Sequence, residues 1–376
     1  MKTHTIFSSP QGDIPVENKD LVKPFLINPD ESHPTLLLGD FFLAVESFIL
    51  KNLNETILPV LQQRDPNLAP DDINELSIRT EKHGTFYHIA SVEFSFAGGP
   101  VKFAVSSAIS PAGKATLGQD IQLLRHFSES TQLDYLPKIY CHAEQNAAGP
   151  ESSESFLLVL GDWFDDYHEW HLTEDGEDII IWDHTRGNRQ ASEKERFEIL
   201  RQVSHILTLY YDIATGNQIF PWHHAAGDFI VRRNGESVDV RLTTVRDYRQ
   251  IVFLDPDSPH FPLVSLLTFF LNLTIRTRLD KAEGTEQTVW AGDFAVSATV
   301  RGFMEALNSN PTLTQPFKDI IPSLHTLLKS FTRSDFEQFL PSLLDLYRNE
   351  NPEECLFVER NIQDHLELLC RCLTEI

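Results

Sequence analysis

Pro221-Trp222-His223-His224-Ala225-Ala226-Gly227-Asp228-Phe229-Ile230-Val231 is the stretch on which the reading of this chain turns. A helical pattern precedes it. Phe197, Ile199, Leu200, Val203, Ile206, Leu207 and Leu209 recur at helical spacing, which predicts a long buried helix from Glu193 to near Gly216. Strands follow it: residues 229–233 and 238–245 pair across Asn234-Gly235, a tight-turn dipeptide. The second strand runs into Val245-Arg246-Asp247-Tyr248. The order is therefore helix, polar loop, strand, turn, strand, Asp.

Upstream, residues 1–35 carry scattered Pro, Asp and Asn and read as an irregular lead-in. Phe41, Phe42, Val45, Phe48, Ile49, Leu53 and Ile57 mark an amphipathic helix over residues 40–58, with Asp40 as its N-cap. Strands are expected over residues 76–79, 86–96 and 101–109. The last two are joined by the turn Ala97-Gly98-Gly99-Pro100. A helix over 117–127 and strands over 136–142 and 156–160 complete a small antiparallel sheet with one helix after its third strand. Downstream, helices are expected over 262–278, 294–307, 315–329, 334–348 and 359–373.

A sheet with one helix, a connecting segment, and a helical half carrying a two-strand insert resembles the protein-kinase-like fold. Within it, the chain is most similar to the aminoglycoside-phosphotransferase branch, over roughly residues 75–310. The resemblance implies an α+β, two-lobed fold. An N-terminal lobe with antiparallel sheet and helix would span residues 1–165, and a mainly helical C-terminal lobe residues 166–376. The connecting segment is Gly161-Asp162-Trp163-Phe164-Asp165-Asp166-Tyr167-His168-Glu169-Trp170-His171-Leu172. The resemblance makes it the hinge beside which adenine binds. A purely structural aromatic hinge is the other reading.

The family's loop reads roughly His-Gly-Asp-Leu-His-x-Gly-Asn, holding an Asp for the acceptor hydroxyl and an Asn for the metal. Anchored on Gly227, the resemblance puts Asp228 at the metal-binding Asn, His223 at the catalytic Asp and Pro221 at the first His. It implies that Asp228 and Asp247 together hold Mg²⁺, carboxylates being hard oxygen ligands. The resemblance also directs His223 at the acceptor, with its imidazole outside the helical core, as a base titrating near neutrality. His224 is expected to bond a backbone or side-chain acceptor. Arg246 and Arg249 flank Asp247, so an ordinary ion pair is the competing reading there.

The nucleotide side departs further from the family. Ser106 stands where the third-strand Lys belongs, and Asp120 where its helix Glu belongs. A Ser and an Asp cannot form the ion pair that fixes a phosphate-binding charge. Lys102, on the same strand face as Ser106, and Lys114 are the nearby substitutes. The phosphate loop would be Thr80-Glu81-Lys82-His83-Gly84-Thr85, with one glycine; a plain hairpin turn fits as well.

Composition narrows the partners. The 376 residues carry a net charge of −24, which argues against nucleic acid and anionic membranes. A small-molecule ligand or nucleotide is expected instead. The apolar run 261–273 is too short to span a bilayer, and no leader is legible. Cys141, Cys355, Cys370 and Cys372 show no zinc or C-x-x-C spacing, so reduced thiols and a cytoplasmic location are expected.

Three functions remain. One is ATP- and Mg²⁺-dependent phosphoryl transfer to a small hydroxyl acceptor, with His223 as base. Another is a catalytically inactive, kinase-like binding or regulatory protein, a pseudokinase. The third is a metal-dependent hydrolase using His223, His224, Asp228 and Asp247.

Overall fold

The computed structural model describes residues 1–9, 12–28, 31–84, 86–147, 154–183, 186–235, 237–255, 257–282, 287–310 and 317–375, without the side chains of residues 83, 225 and 317. The chain divides into two compact units, Met1–Asp165 and Asp166–Ile376. The architecture is α+β, with a mixed sheet in the first unit and a mainly helical second.

The first unit begins with β1 (Lys2–Phe7), β2 (Ile14–Pro15), α1 (Asn18–Leu21), β3 (Pro24–Asn28) and β4 (Glu31–Leu37). Helix α2 (Leu38–Asn52) continues through a π-turn, Leu53–Ile57, into α3 (Leu58–Leu61). Next come β5 (Glu75–His83), β6 (His88–Ser95), β7 (Val101–Ala108), α4 (Pro111–Ser130), β8 (Ile139–Asn146) and β9 (Ser155–Asp162). Seven strands form one sheet in the order β2-β1-β5-β6-β7-β9-β8.

The irregular lead-in is corrected here. β1 lies parallel to β5, from Lys2 opposite Glu75 to Phe7 opposite Thr80, so the sheet is mixed rather than antiparallel. None of its six residues is fully buried, and its letters lack the period-two contrast that marks a half-buried strand. Asp40 is also displaced from the expected N-cap. It sits at the third helical position and accepts the Leu37 N–H at 2.8 Å, which meets the same orphan-donor need.

Helices pack on the sheet from two sides, not one. Phe41, Val45, Phe48 and Ile49 of α2 join Ile78, Val92, Phe103, Val105, Phe156, Leu158 and Leu160 in one core. On the other face Leu117 and Ile121 of α4 pack on Ala108, Leu157 and Val159. β9 serves both cores, which is why it reads as a continuous Phe-Leu-Leu-Val-Leu run rather than an alternation.

The second unit opens with a small sheet of β10 (Trp170–Leu172), β11 (Ile179–Ile181) and β12 (Arg189–Gln190). Three-residue strands are too short to show a period, so this sheet was not expected. Helix α5 (Glu193–Leu209) starts in a capping box in which Ser192 and Glu195 satisfy each other's backbone amides. β13 (Gln218–Ile219), the hairpin β14 (Phe229–Asn234) and β15 (Ser237–Leu242), and β16 (Tyr248–Arg249) carry the loop segment. Gly235 supplies the positive φ, +62°, that this hairpin turn requires.

Helix α6 (Phe261–Arg276) is buried at every residue from Ser265 to Arg276, so it is the central helix of the unit. It is followed by the hairpin β17 (Leu279–Lys281) and β18 (Thr288–Trp290), then α7 (Phe294–Ser309) and α8 (Phe317–Ser330). The first residues of the expected 315–329 helix lie outside the described residues. The helix expected over 334–348 is two: α9 (Arg333–Glu337) and α10 (Leu340–Glu350). Pro341 lacks an N–H and is placed in the first turn of α10, where none is needed. Helix α11 (Pro352–Thr374) starts a turn and more before the expected residue 359. Asn351 caps it by accepting the Glu353 and Glu354 amides.

Helices α5 and α7 meet at Gly302, where an added Cβ would lie 2.1 Å from the Arg201 carbonyl oxygen. Gly302→Ala is therefore expected to push the helices apart and cost about 1–3 kcal/mol, the usual penalty of overpacking. Urea unfolding of the two proteins measures this. Equal midpoints and slopes would mean that the pair of helices has slack at this point.

Candidate functional site

The loop segment of the second unit is built from a peptide bridge outward. Ile219 of β13 pairs with Tyr248 of β16, and the Phe220 N–H donates to the Asp247 carbonyl at 3.1 Å. The loop's first end is thus tied to the segment that carries Asp247. The Phe220–Pro221 peptide is cis, and His224–Ala226 form a single 3-10 turn. Gly227 closes that turn at φ +70°, a left-handed conformation that a side chain disfavours. Asp228 then enters β14, its carbonyl accepting the Thr243 N–H at 2.8 Å.

Asp228 is 2% exposed. One carboxylate oxygen accepts the His223 N–H at 2.9 Å, and the other receives Arg246 Nη2 at 2.6 Å. Asp247 is half-buried; Arg249 Nε donates to it at 2.7 Å and the Tyr248 N–H at 2.8 Å. Each candidate metal carboxylate therefore faces an arginine. Among the described residues, no group of three or more His, Cys, Asp or Glu could hold a metal ion.

His223 does not stand clear of the helical core, and that expectation is corrected. It is half-buried under Arg276, whose Nη2 lies 2.8 Å from Nε2 and 3.0 Å from Nδ1. Burial, then the Arg276 charge and the Arg246 charge, push its pKa down to about 2. An imidazole so placed stays neutral, but it is a feeble proton acceptor near neutral pH.

His224 is buried, with Trp170 at 4.3 Å and Trp222 at 5.4 Å between ring centroids and the Thr277 backbone as its polar neighbour. Burial lowers its pKa to about 4, against the pull of Asp280 and the Thr277 backbone toward protonation. Both it and Asp280 belong to a buried group with His171, whose Nδ1 is 3.9 Å from Asp280 Oδ2. That oxygen also accepts the Leu172 N–H at 2.8 Å, tying β10 to β17.

Arg276 is the residue that sequence reasoning missed. It is 2% exposed. Its guanidinium pairs with buried Glu354 at 2.9 Å and donates to the Trp222 carbonyl at 2.8 Å. It also lies 5.6–5.8 Å from the centroids of Phe220, Trp222 and Tyr347. The available signal was an arginine at the end of an otherwise apolar helix, a position that demands a buried partner.

Within the first unit, Lys102 is not a solvated strand charge. Its Nζ is 3.0 Å from Glu81 Oε1 and 3.9 Å above the Trp163 ring. Glu81 also accepts the Ser91 hydroxyl at 2.5 Å. Thr80 to His83 belong to β5 itself, so most of the expected phosphate loop is strand, with residue 85 outside the described residues. Ser106 pairs with Ile89 and Val159 inside the sheet. Asp120 is buried on α4 and receives the Tyr87 hydroxyl at 3.4 Å. Lys114 Nζ donates to Ser155 Oγ at 2.7 Å. Lys102 of β7 thus reaches Glu81 of β5 across the intervening β6, while Lys114 of α4 lies 3.5 Å from Glu144 of β8.

The four cysteines are all free thiols. Among the described residues, no helix is long and apolar enough to cross a membrane. Compared with known proteins, the chain matches no protein-family model and no curated protein.

Proposed function

We propose that this chain is a kinase-like binding protein in which the catalytic-loop segment has exchanged phosphoryl transfer for ligand recognition. One observation carries the reading: the two positions that the kinase-like resemblance assigns to base and metal are each covered by an arginine. Arg276 lies on His223, and Arg246 on Asp228. A guanidinium on the base removes its capacity to take a proton. A guanidinium on the metal carboxylate competes with Mg²⁺ for the same oxygens.

The hydrolase reading loses support for a related reason. His224 is packed among Trp170 and Trp222 and does not share an open position with His223. Phosphoryl transfer keeps one point in its favour, the survival of carboxylates at Asp228 and Asp247. A calorimetric titration with ATP, run with and without Mg²⁺, decides between transfer and binding. The binding reading expects an affinity that Mg²⁺ changes by less than about threefold, and no phosphate transfer on prolonged incubation. A Mg²⁺-dependent gain of tenfold or more would restore the phosphotransferase reading, because a metal would then be displacing Arg246.

A further inference from the structure

Two arginines from different elements clasp one loop residue. Arg249 of β16 and Arg276 of α6 each place the guanidinium carbon 5.8 Å from the centroid of the Phe220 ring. Each arginine is held in turn by a glutamate from one place in the chain, the corner between α10 and α11. Arg249 Nη2 is 3.2 Å from Glu350, the last residue of α10, and Arg276 Nη1 is 2.9 Å from Glu354, in the first turn of α11. Only Asn351, Pro352 and Glu353 lie between the two glutamates. Arg249 also bridges to Asp247, and Arg276 to Trp222 and His223. The corner therefore touches every tether of the loop that runs through an arginine of β16 or α6.

We propose that the α10–α11 corner is a latch on the 220–228 loop, holding it through Glu350–Arg249 and Glu354–Arg276. With the latch in place, Arg276 covers His223 and the Trp222 carbonyl. Withdrawing the corner takes Glu354 from Arg276 and leaves Arg249 with Asp247 alone, and the loop segment from Phe220 to His223 loses its side-chain anchors to α6. The tie between Phe220 and Asp247 is backbone to backbone and survives, so opening is local. The device acts on the loop treated above as the ligand site, and that reading supplies only its consequence. The opening itself is measured with no ligand present.

Hydrogen exchange on the full chain tests it, comparing the parent with Glu350→Gln and Glu354→Gln. Local opening predicts faster exchange at residues 219–224 and 247–249, about tenfold for the buried Glu354 pair and a few-fold for the half-exposed Glu350 pair. Amides of α5 and α7 should keep their protection. Arg249→Ala should reproduce the Glu350→Gln pattern from the other side of the contact. Unchanged exchange around the loop, or an even loss over the whole second unit, overturns the latch. If Glu354→Gln does not fold, Glu350→Gln and Arg249→Ala decide the matter alone. Local opening in these variants together with failure of ATP to bind would leave the latch standing and remove the nucleotide.

Discussion

Replacing Arg276 by Met is expected to destabilise the protein by about 3–5 kcal/mol, the usual cost of removing one partner from a buried ion pair. Glu354 would be left as a buried carboxylate without its cation, and the Trp222 carbonyl without its donor. The double change Arg276→Met with Glu354→Leu should recover a large part of that loss, because the buried charge goes with its partner. Chemical denaturation of the parent, both single variants and the double variant closes the cycle. A single variant that loses less than about 1 kcal/mol would show that water reaches the pair and screens it. In Arg276→Met the His223 pKa should rise, because a neighbouring cation has gone; an imidazole proton titration followed by NMR reads this directly.

The second large effect is a loss of stability in mild acid that passes through His224. Burial holds its pKa at about 4, below the 6.5 of an exposed imidazole. Between those two values the unfolded chain binds a proton that the folded chain refuses. The contribution is therefore fully present above pH 6.5, declines as pH falls, and levels off below about 4. A gap of this size is worth about 3 kcal/mol. His224→Phe keeps a ring between Trp170 and Trp222 and removes the titration. The difference in stability between parent and variant, measured from pH 7 to pH 4, should shift by that amount in favour of the variant. A flat difference would mean that His224 takes up its proton in the folded state. His223 titrates in the same direction in both proteins and cancels from the comparison.

The amino-acid pattern alone determined the parts of this protein that depend on neighbours in the chain. Ala97-Gly98-Gly99-Pro100 and Asn234-Gly235 mark their hairpins because tight turns need particular backbone freedom. The long helices α2, α4, α5, α6, α7 and α11 declared themselves by period, with ends uncertain wherever a cap or proline sat one turn away. The positions of His223, Asp228 and Asp247 along one helix–loop–hairpin segment were legible for the same reason.

Contacts between distant parts of the chain were not legible. β1 finds its parallel partner about seventy residues on, and its six letters carry no trace of that neighbour. The strands of three residues or fewer, β2, β10 to β13 and β16 to β18, are too short to repeat a period. At the site, the residue types were visible and their ionic surroundings were not. Arg246 flanked Asp247 in sequence yet reaches back to Asp228, while Arg249 takes Asp247. Arg276, 53 residues beyond His223, lies against its ring and is itself held by Glu354, 131 residues beyond. A charge acts over a few ångströms of folded space, whatever the separation along the chain. Only the tertiary structure decided which carboxylates and which imidazoles these arginines would meet.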